Sequence, residues 1–190
     1  MTKEKISVSD NGAIVRPGNM VSLRLFEERD IEKKVEWINN PENNRHLHYD
    51  IPLCVENTRK WFHAKDNTRR LDYVIEYNGI PVGLIGLLAI DHFHHKAEFY
   101  ISMGETRFKN RGIATEASRM VVEYSFDYLR LHKIYLNTDG ENYPAHGLFE
   151  KVGFVREGLF VDDMIHRGKY INRVRYAILS SAINPEGKSE

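Results

Sequence analysis

Residues 107–116 have the sequence Arg-Phe-Lys-Asn-Arg-Gly-Ile-Ala-Thr-Glu, and they join a predicted strand to a long predicted helix. In the strand before them, apolar side chains alternate with others, at Ala97, Phe99, Ile101 and Met103. In the helix after them, one face repeats every three or four residues, at Ala114, Ala117, Val121, Tyr124 and Tyr128. The first N–H groups of a helix lack intrahelical partners and lie at the positive end of its dipole. The segment is therefore either a binding loop for a phosphate or pyrophosphate, or an ordinary solvated turn before a helix.

The residues of this segment suit a loop that binds an anion, but they lack the motifs of the common nucleotide-binding sites. Gly112 would let the backbone approach an anion closely, and Ala114 keeps the first helical turn small. Positive charge is added by Arg107, Lys109 and Arg111. The segment has no Gly-Lys-Ser/Thr and no full Gly-x-Gly-x-x-Gly, which argues against an NTPase and against a Rossmann dinucleotide site.

The whole chain has the properties of one globular domain of 190 residues. Its 27 basic and 27 acidic residues balance, so the sequence predicts no nucleic-acid and no membrane partner. The lone Cys54 excludes an internal disulfide, and the first eleven residues are too polar for a signal peptide. The longest apolar stretch, near residues 82–90, is far too short to cross a bilayer. We therefore expect a cytoplasmic protein.

Hydrophobic periods along the chain predict a mixed α/β domain over residues 21–183. Residues 1–20 are expected to be a tail or an extension, and residues 184–190 a C-terminal tail. Strands are predicted at 21–26, 71–77, 82–90, 97–103, 133–138, 154–164 and 170–180. Helices are predicted at about 31–39, at 55–65, after Arg111 and at 144–151, and the segment 41–53 is expected to be irregular.

Two motifs resemble those of the GNAT superfamily of acetyl-CoA-dependent N-acetyltransferases. Lys109–Ala114 (KNRGIA) is similar to the pyrophosphate loop Gln/Arg-x-x-Gly-x-Gly/Ala, with Lys109 in place of Gln or Arg. Asn142–Phe154 (NYPAHGLFEKVGF) resembles Asn-x-x-(small)-x-x-Leu-Tyr-Glu-Lys-x-Gly-Phe, and Glu157-Gly158 extends the likeness to the ribosomal-protein and polyamine acetyltransferase branches. The resemblance covers roughly residues 21–179. It implies a mostly antiparallel sheet of about seven strands flanked by about four helices and splayed in the middle to hold acyl-CoA.

The resemblance also implies acetyl-CoA as the co-substrate and suggests which residues bind it. The pyrophosphate would lie on the loop and helix start, at Lys109, Asn110, Arg111, Gly112, Ile113, Ala114 and Thr115. Pantetheine would pair like another strand with the backbone around Ile101 and Met103. Asn142 and Phe149 would line the lower arm of the cofactor, with Lys151 near a phosphate.

Direct acetyl transfer needs a base for the acceptor amine, whose ammonium form has a pKa of about 10. Glu98 lies on the strand expected to present the thioester and is the predicted base; the alternative is that it only pairs with Lys96 or with a cation of a neighbouring strand. A backbone N–H near Ser102 or Met103 is the expected oxyanion donor. Phe149 replaces a tyrosine that relatives use as proton donor. Tyr143, His146, Ser102 or water would have to substitute, or the thiolate leaves unassisted.

The acceptor is expected to bind the variable region after the first strand, together with the turn before the catalytic strand. The candidate contacts are Trp37, Asn40, His46, Tyr49, Tyr73 and His94. These residue types suit a small-molecule amine, either an amino sugar, free or nucleotide-linked, or a polyamine. A protein N-terminus and a non-catalytic acyl-CoA binder remain alternatives. The histidines at 92, 94 and 95 are expected to form a solvated corner and no metal site. The closing strands permit a homodimer.

Overall fold

The computed structural model describes residues 4–47 and 51–182, which form one mixed α/β domain around a nine-stranded sheet. The strands are β1 (Ser7–Val8), β2 (Ile14–Val15), β3 (Val21–Leu25), β4 (Leu71–Tyr77), β5 (Ile80–Asp91), β6 (Lys96–Met103), β7 (Lys133–Asp139), β8 (Val155–His166) and β9 (Lys169–Leu179). The α-helices are α1 (Ile31–Asn39), α2 (Pro41–Asn44), α3 (Val55–Ala64), α4 (Ile113–Asp127) and α5 (Tyr143–Val152). The order in the sheet is β1-β2-β3-β4-β5-β6-β7-β9-β8. The mixed, mostly antiparallel architecture is thus confirmed.

The two strands beyond the predicted seven come from the N-terminal extension. β1 and β2 form an antiparallel pair, and β2 continues the sheet beside β3. Ile6 and Ile14 are buried in the main core, so the extension belongs to the folded domain. Strands of two residues are too short for an alternating pattern to reveal them.

The helix missing from the prediction is α2, within the segment expected to be irregular. Asn40 begins it, because its side chain accepts a hydrogen bond from the N–H of Glu42. Pro41 occupies the first helical position, where the absence of an N–H costs nothing. The same Asn-Pro pair that ends α1 therefore starts a new helical turn.

The sheet opens between β6 and β7, which form its one parallel pair in the described chain. Their pairing covers Lys96–Glu98 against Lys133–Tyr135 and ends there. Every other strand pair is antiparallel, and most continue to the strand ends. The carboxyl-terminal halves of β6 and β7 thus diverge and leave a gap in the middle of the sheet, as predicted.

Apolar clusters cover both faces of the sheet. The main cluster packs β6, β7 and β9 against α4 and α5, with Phe99, Ile134, Leu136 and Phe149 among its members. A smaller cluster lies under α1 and α3 on the opposite face. None of the helices within residues 4–47 and 51–182 is long and apolar enough to span a bilayer.

Candidate active site

The open edge of β6 presents backbone groups to the gap. The N–H of Gly104 donates to the carbonyl of Val82 on β5 at 2.9 Å, and the carbonyl of Ser102 also lies against β5. Backbone groups alternate sides along a strand, so those of Phe99, Ile101 and Met103 point the other way. Ile101 and Met103 were predicted to pair with pantetheine, and their backbone groups do face the gap.

Ser102, which was predicted to act at the thioester, does not present its backbone to the gap. Its backbone faces β5, so its N–H cannot serve a thioester in the gap. Its side chain lies four residues beyond Glu98, about 13 Å along the strand. The structure therefore does not bring Ser102 together with Glu98, and the odd-numbered N–H groups of β6 are better placed as oxyanion donors.

Glu98 lies at the point where β6 and β7 separate, on the face that carries α1 and α3. Its carboxylate is half-buried and accepts a hydrogen bond from Asn137 Nδ2 at 3.1 Å. Asn137 Oδ1 in turn accepts from Arg175 Nε at 3.2 Å. The guanidinium of Arg175 stacks on Tyr135 at 4.5 Å and lies 5.4 Å from the ring centre of Phe160. Side chains from three strands thus fix the orientation of one carboxylate oxygen, and the alternative of a Lys96 pair is not observed.

The loop before α4 leaves open space at its glycine. Gly112 has φ +76° and begins the helix, and a side-chain carbon there would meet nothing within 4 Å. Asn110 also has a positive φ, of 62°. The first N–H that bonds within the helix is that of Glu116, which donates to the carbonyl of Gly112 at 3.0 Å. The N–H groups of Ile113, Ala114 and Thr115 therefore precede the helical ladder, as an anion site requires.

Phe108 holds the positive charges of this loop in place. Its ring packs against Tyr77, with 5.7 Å between ring centres. The guanidinium carbons of Arg107 and Arg111 lie 4.9 and 5.4 Å from the centre of the Phe108 ring. Both arginines and Lys109 are exposed at the rim. The basic side chains are thus ordered around the helix start without closing it.

The predicted cofactor residues on α5 and at its start lie in three different environments. Asn142 caps the helix, its side chain accepting from the N–H of Ala145. Phe149 is buried in the main core, 6.2 Å from Phe99 between ring centres. Lys151 is exposed, and its carbonyl accepts from Arg119 on α4 at 2.8 Å. The end of α5 is thereby tied to the helix that carries the basic loop.

Two of the candidate proton donors, Tyr143 and His146, lie on α5 in different surroundings. Tyr143 is 74% exposed. His146 lies between the carbonyl of Gly140 and the hydroxyl of Tyr176, at 3.2 and 3.0 Å from its two ring nitrogens. The Tyr176 hydroxyl also lies 3.1 Å from Glu150, and burial, together with this hydrogen bond, raises the pKa of Tyr176. None of these groups is directed at the gap by its hydrogen bonds.

The segment from α1 to His46 bridges the two diverging strand ends. At the end of β6, the ring of Trp37 packs so closely on Gly104 that a side chain at that glycine would clash. Asn43 Nδ2 donates to the Gly104 carbonyl at 2.7 Å. At the end of β7, His46 Nδ1 lies 2.9 Å from Asp139 Oδ2. Trp37 thus lies against the end of β6 and His46 against the end of β7, whereas the side chain of Asn40 caps α2.

Two predicted acceptor contacts lie away from these strand ends. Tyr73 is 2% exposed in the main core, with its ring 6.3 Å from that of Tyr124. His94 lies in the β5–β6 turn, before the start of β6, and its Nδ1 is 2.7 Å from Asp91. The pairing of His94 with the Asp91 carboxylate accounts for this histidine as part of a solvated corner. Tyr49 lies outside the described residues.

No group of three or more potential metal ligands occurs within residues 4–47 and 51–182. Asn137, Asp139 and Arg175 were not among the residues predicted from the sequence. For Asn137 and Asp139 the signal was their alternation with Leu136 and Thr138 on an inner strand, where polar side chains need partners.

Comparison with known proteins decides the family. The model of the acetyltransferase (GNAT) domain matches residues 21–155 of this chain. The chain belongs to the GNAT acetyltransferase family. It is therefore an enzyme that uses acetyl-CoA as the donor for N-acetylation, and the fold predicted from the two motifs is confirmed.

Similar proteins cover nearly the whole domain. Spermidine N(1)-acetyltransferase of Escherichia coli K12 is 34% identical over 172 residues, 89% of this chain and 91% of its own. Its namesake from Vibrio cholerae is 31% identical over 86% of this chain and 95% of its own. The crystal structure of the Vibrio cholerae enzyme with CoA and spermine superposes with a TM-score of 0.79 at 27% identity, over 86% of this chain and 97% of that one.

Proposed function

We propose that this GNAT enzyme acetylates a primary amine of a linear polyamine of the spermidine type. The observation that carries the proposal is Glu98, a half-buried carboxylate at the point where the sheet opens. A carboxylate there can take a proton from an alkylammonium and offset its charge. The names of the relatives support the substrate class, since three of them are spermidine N(1)-acetyltransferases.

The proposed reaction is a direct transfer. Glu98 accepts a proton from the acceptor ammonium, and the freed nitrogen attacks the thioester carbonyl of acetyl-CoA. The C–N bond forms, the nitrogen loses its second proton to water, the C–S bond breaks, and the thiolate leaves. N–H groups of Phe99, Ile101 or Met103 would stabilise the charge on the carbonyl oxygen, a contribution of about 3 kcal/mol.

We propose that the thiolate leaves without an acid from the protein. Phe149 has no hydroxyl, and the hydroxyl and imidazole groups nearby are committed to each other. A thiol has a pKa of about 8.5, so its anion is a moderately good leaving group in water near neutral pH. Bulk solvent would then supply the proton.

We propose that CoA binds the gap and the helix start together. Pantetheine would pair with the free side of β6 at Ile101 and Met103. The diphosphate would bind the N–H groups at Gly112, Ile113 and Ala114, with Arg107, Lys109 and Arg111 at the rim. Asn110 and Thr115 flank this helix start, and Asn142, Phe149 and Lys151 would line the far side of the cofactor.

The polyamine would enter between the segment from α1 to His46 and the end of β7. Three carboxylates in and just before α1 already have basic partners and do not form a docking strip: the buried Asp30 is paired with Arg24, Glu28 with Arg59 and Glu36 with Lys33. Glu98 lies where β6 and β7 separate, and Asp139 lies at the end of β7. We propose that they receive the reacting and a following ammonium.

A panel of acceptors tests this assignment. Spermidine, spermine and shorter diamines, an amino sugar and an N-terminal peptide are compared by kcat/KM for CoA thiol release. The proposal expects the highest value for spermidine or spermine. A higher value for the amino sugar or the peptide would reassign the substrate class, and thiol release independent of any amine would contradict acetyl transfer.

We also propose a homodimer formed by antiparallel pairing of two β8 strands. β8 is the terminal strand of the sheet, and its side chains Val155, Val161 and Ile165 are 69%, 69% and 59% exposed. Arg156 near its start and Asp163 near its end would meet in an antiparallel pair. Light scattering should give twice the mass of one chain for the wild type. Val161→Lys should reduce this to the mass of a single chain, and the control Phe93→Lys, in an exposed turn, should leave it unchanged. A monomeric wild-type protein would contradict the proposal.

We place the enzyme in the cytoplasm, where acetyl-CoA is available and the exposed thiol of Cys54 would stay reduced. Localisation of a tagged full-length chain tests this, and recovery outside the cytoplasm would contradict it.

A further inference from the structure

The N-terminal extension places a buried arginine against the helix that begins at the basic loop. Arg16 is 8% exposed, and its Nε donates to Glu116 Oε1 at 2.8 Å. Its Nη2 donates to Glu123 Oε2 at 2.8 Å, and its Nη1 donates to the carbonyl of Glu4. The family model begins its match at residue 21, so this arginine comes from outside the matched domain.

Glu116 is the acidic residue of the first turn of α4. It lies three residues after Ile113, about 5 Å along the helix axis from the start. Its side chain is 12% exposed, so water screens its charge weakly. A carboxylate in this position opposes the positive potential that lets a helix start hold a diphosphate. Arg16 offsets that charge through the ion pair.

The extension holds Arg16 in this position by other contacts with α4. The N–H of Ile6 donates to Glu123 Oε1 at 2.8 Å, and the hydroxyl of Tyr128 lies 3.4 Å from the carbonyl of Ile6. Ile6 and Ile14 are buried in the main core. Burial lowers the pKa of Arg16, but the hydrogen bonds and charges of Glu123 and Glu116 raise it by more, so the net shift is upward and its charge is permanent. The geometry is that of a fixed counter-charge.

We propose that Arg16 is a positioning residue for acetyl-CoA. By holding Glu116 and offsetting its charge, it sets the affinity of the α4 start for the CoA diphosphate. The inference rests on the proposed assignment of that helix start to the diphosphate. The extension thus acts on cofactor binding through its contacts with α4.

Four proteins test the role of Arg16: the wild type, Arg16→Met, Glu116→Gln and the double variant. Arg16→Met is expected to weaken acetyl-CoA binding by about five- to twentyfold in calorimetry, because Glu116 loses its ion pair with Arg16 and its charge then opposes the diphosphate more strongly. KM for acetyl-CoA should rise in parallel, while kcat at saturation stays within about twofold of wild type. S-acetyl-pantetheine, which lacks the diphosphate, should be used equally well by both proteins.

The glutamine variants separate a charge effect from a structural one. Glu116→Gln in the Arg16→Met background should restore the acetyl-CoA affinity to within about threefold of wild type. Glu116→Gln alone should bind acetyl-CoA at least as tightly as wild type. This single variant still tests the proposal if Arg16→Met does not fold. Equal losses with acetyl-CoA and acetyl-pantetheine, no rescue, or weaker binding by Glu116→Gln alone would overturn the proposal. Absence of acetyl-CoA binding by the wild type would instead overturn the proposed function.

Discussion

Asn137 donates a hydrogen bond to Glu98 at 3.1 Å across the point where β6 and β7 part. The neutral amide of Asn137 thus fixes one oxygen of the Glu98 carboxylate. Within residues 4–47 and 51–182 the other oxygen has no hydrogen-bond partner, so it is available to an ammonium. Arg175 holds Asn137 but does not itself contact Glu98. The base is thereby oriented without a direct ion pair that would reduce its ability to accept a proton.

Replacing the base should slow the reaction. Glu98→Gln is expected to lower kcat/KM by about a hundredfold or more at neutral pH, the usual contribution of a positioned base. The deficit should shrink as pH rises toward the pKa of the amine, because more acceptor is then neutral. Initial rates of thiol release from pH 6 to 10 measure this. Glu157→Gln, which breaks an exposed ion pair with Lys133, is the control. Wild-type rates in Glu98→Gln would remove the base assignment.

The helix start should be tested at its glycine. Gly112→Glu is expected to abolish the rise in melting temperature that acetyl-CoA produces, because a carboxylate would occupy the diphosphate position. Gly79→Glu is a matched control, since Gly79 has φ +75° and equally open surroundings in the β4–β5 turn. Both variants carry a similar backbone strain of about 1 kcal/mol. A full thermal response to acetyl-CoA in Gly112→Glu would place the diphosphate elsewhere.

The contact between His46 and Asp139 should affect the acceptor and not the cofactor. His46→Leu removes a 2.9 Å contact that joins the α1–α2 segment to the end of β7. We expect KM for the polyamine to rise by roughly five- to tenfold, as expected for the loss of one hydrogen bond of 1 kcal/mol or slightly more. The acetyl-CoA thermal shift should be unchanged. Steady-state kinetics with each substrate varied in turn measure both, and an effect confined to acetyl-CoA would be the contrary result.

Lys34 makes stability depend on pH. Its Nζ lies 3.5 Å from the ring centre of Trp61, and burial lowers the pKa of Lys34 to about 8. Between pH 8 and the ordinary value of 10.5 the unfolded chain binds more protons, so stability rises with pH in that window. Lys34→Met should remove this rise and stabilise the protein at pH 7 by about 1–3 kcal/mol.

Denaturant unfolding at pH 7, 8 and 9.5 compares wild type with Lys34→Met. Lys60→Met, on an exposed side chain of α3, is the control and should retain the wild-type slope with pH. Destabilisation by Lys34→Met at pH 7 would show that the aromatic contact outweighs the cost of burying the charge.

The helix start at Gly112 could be predicted from the sequence because strand, loop and helix signals are all local there. The partner of Glu98 could not, because Asn137 meets it through the register of two strands that are distant in sequence. Arg16 was hidden for a similar reason, since its acids lie about a hundred residues away on α4. In each case the contact depends on tertiary packing.

Tyr73 shows where periodicity fails. In β4 the residues from Asp72 to Ile75 are all buried, because helices cover both faces of the sheet. Alternation then no longer marks an inner and an outer face. The tyrosine was therefore assigned to the acceptor side, whereas its ring packs against Tyr124 in the main core.

The central claim is tested most directly by following both products of one reaction of the full-length chain with acetyl-CoA and spermidine. Thiol release is measured by colour reagent and the amine by mass spectrometry at the same time points. The account predicts monoacetylated spermidine and CoA thiol in equal amounts, with neither formed when one substrate is omitted. Acetyl-CoA binding without acetylated spermidine, or thiol release without it, would contradict the account.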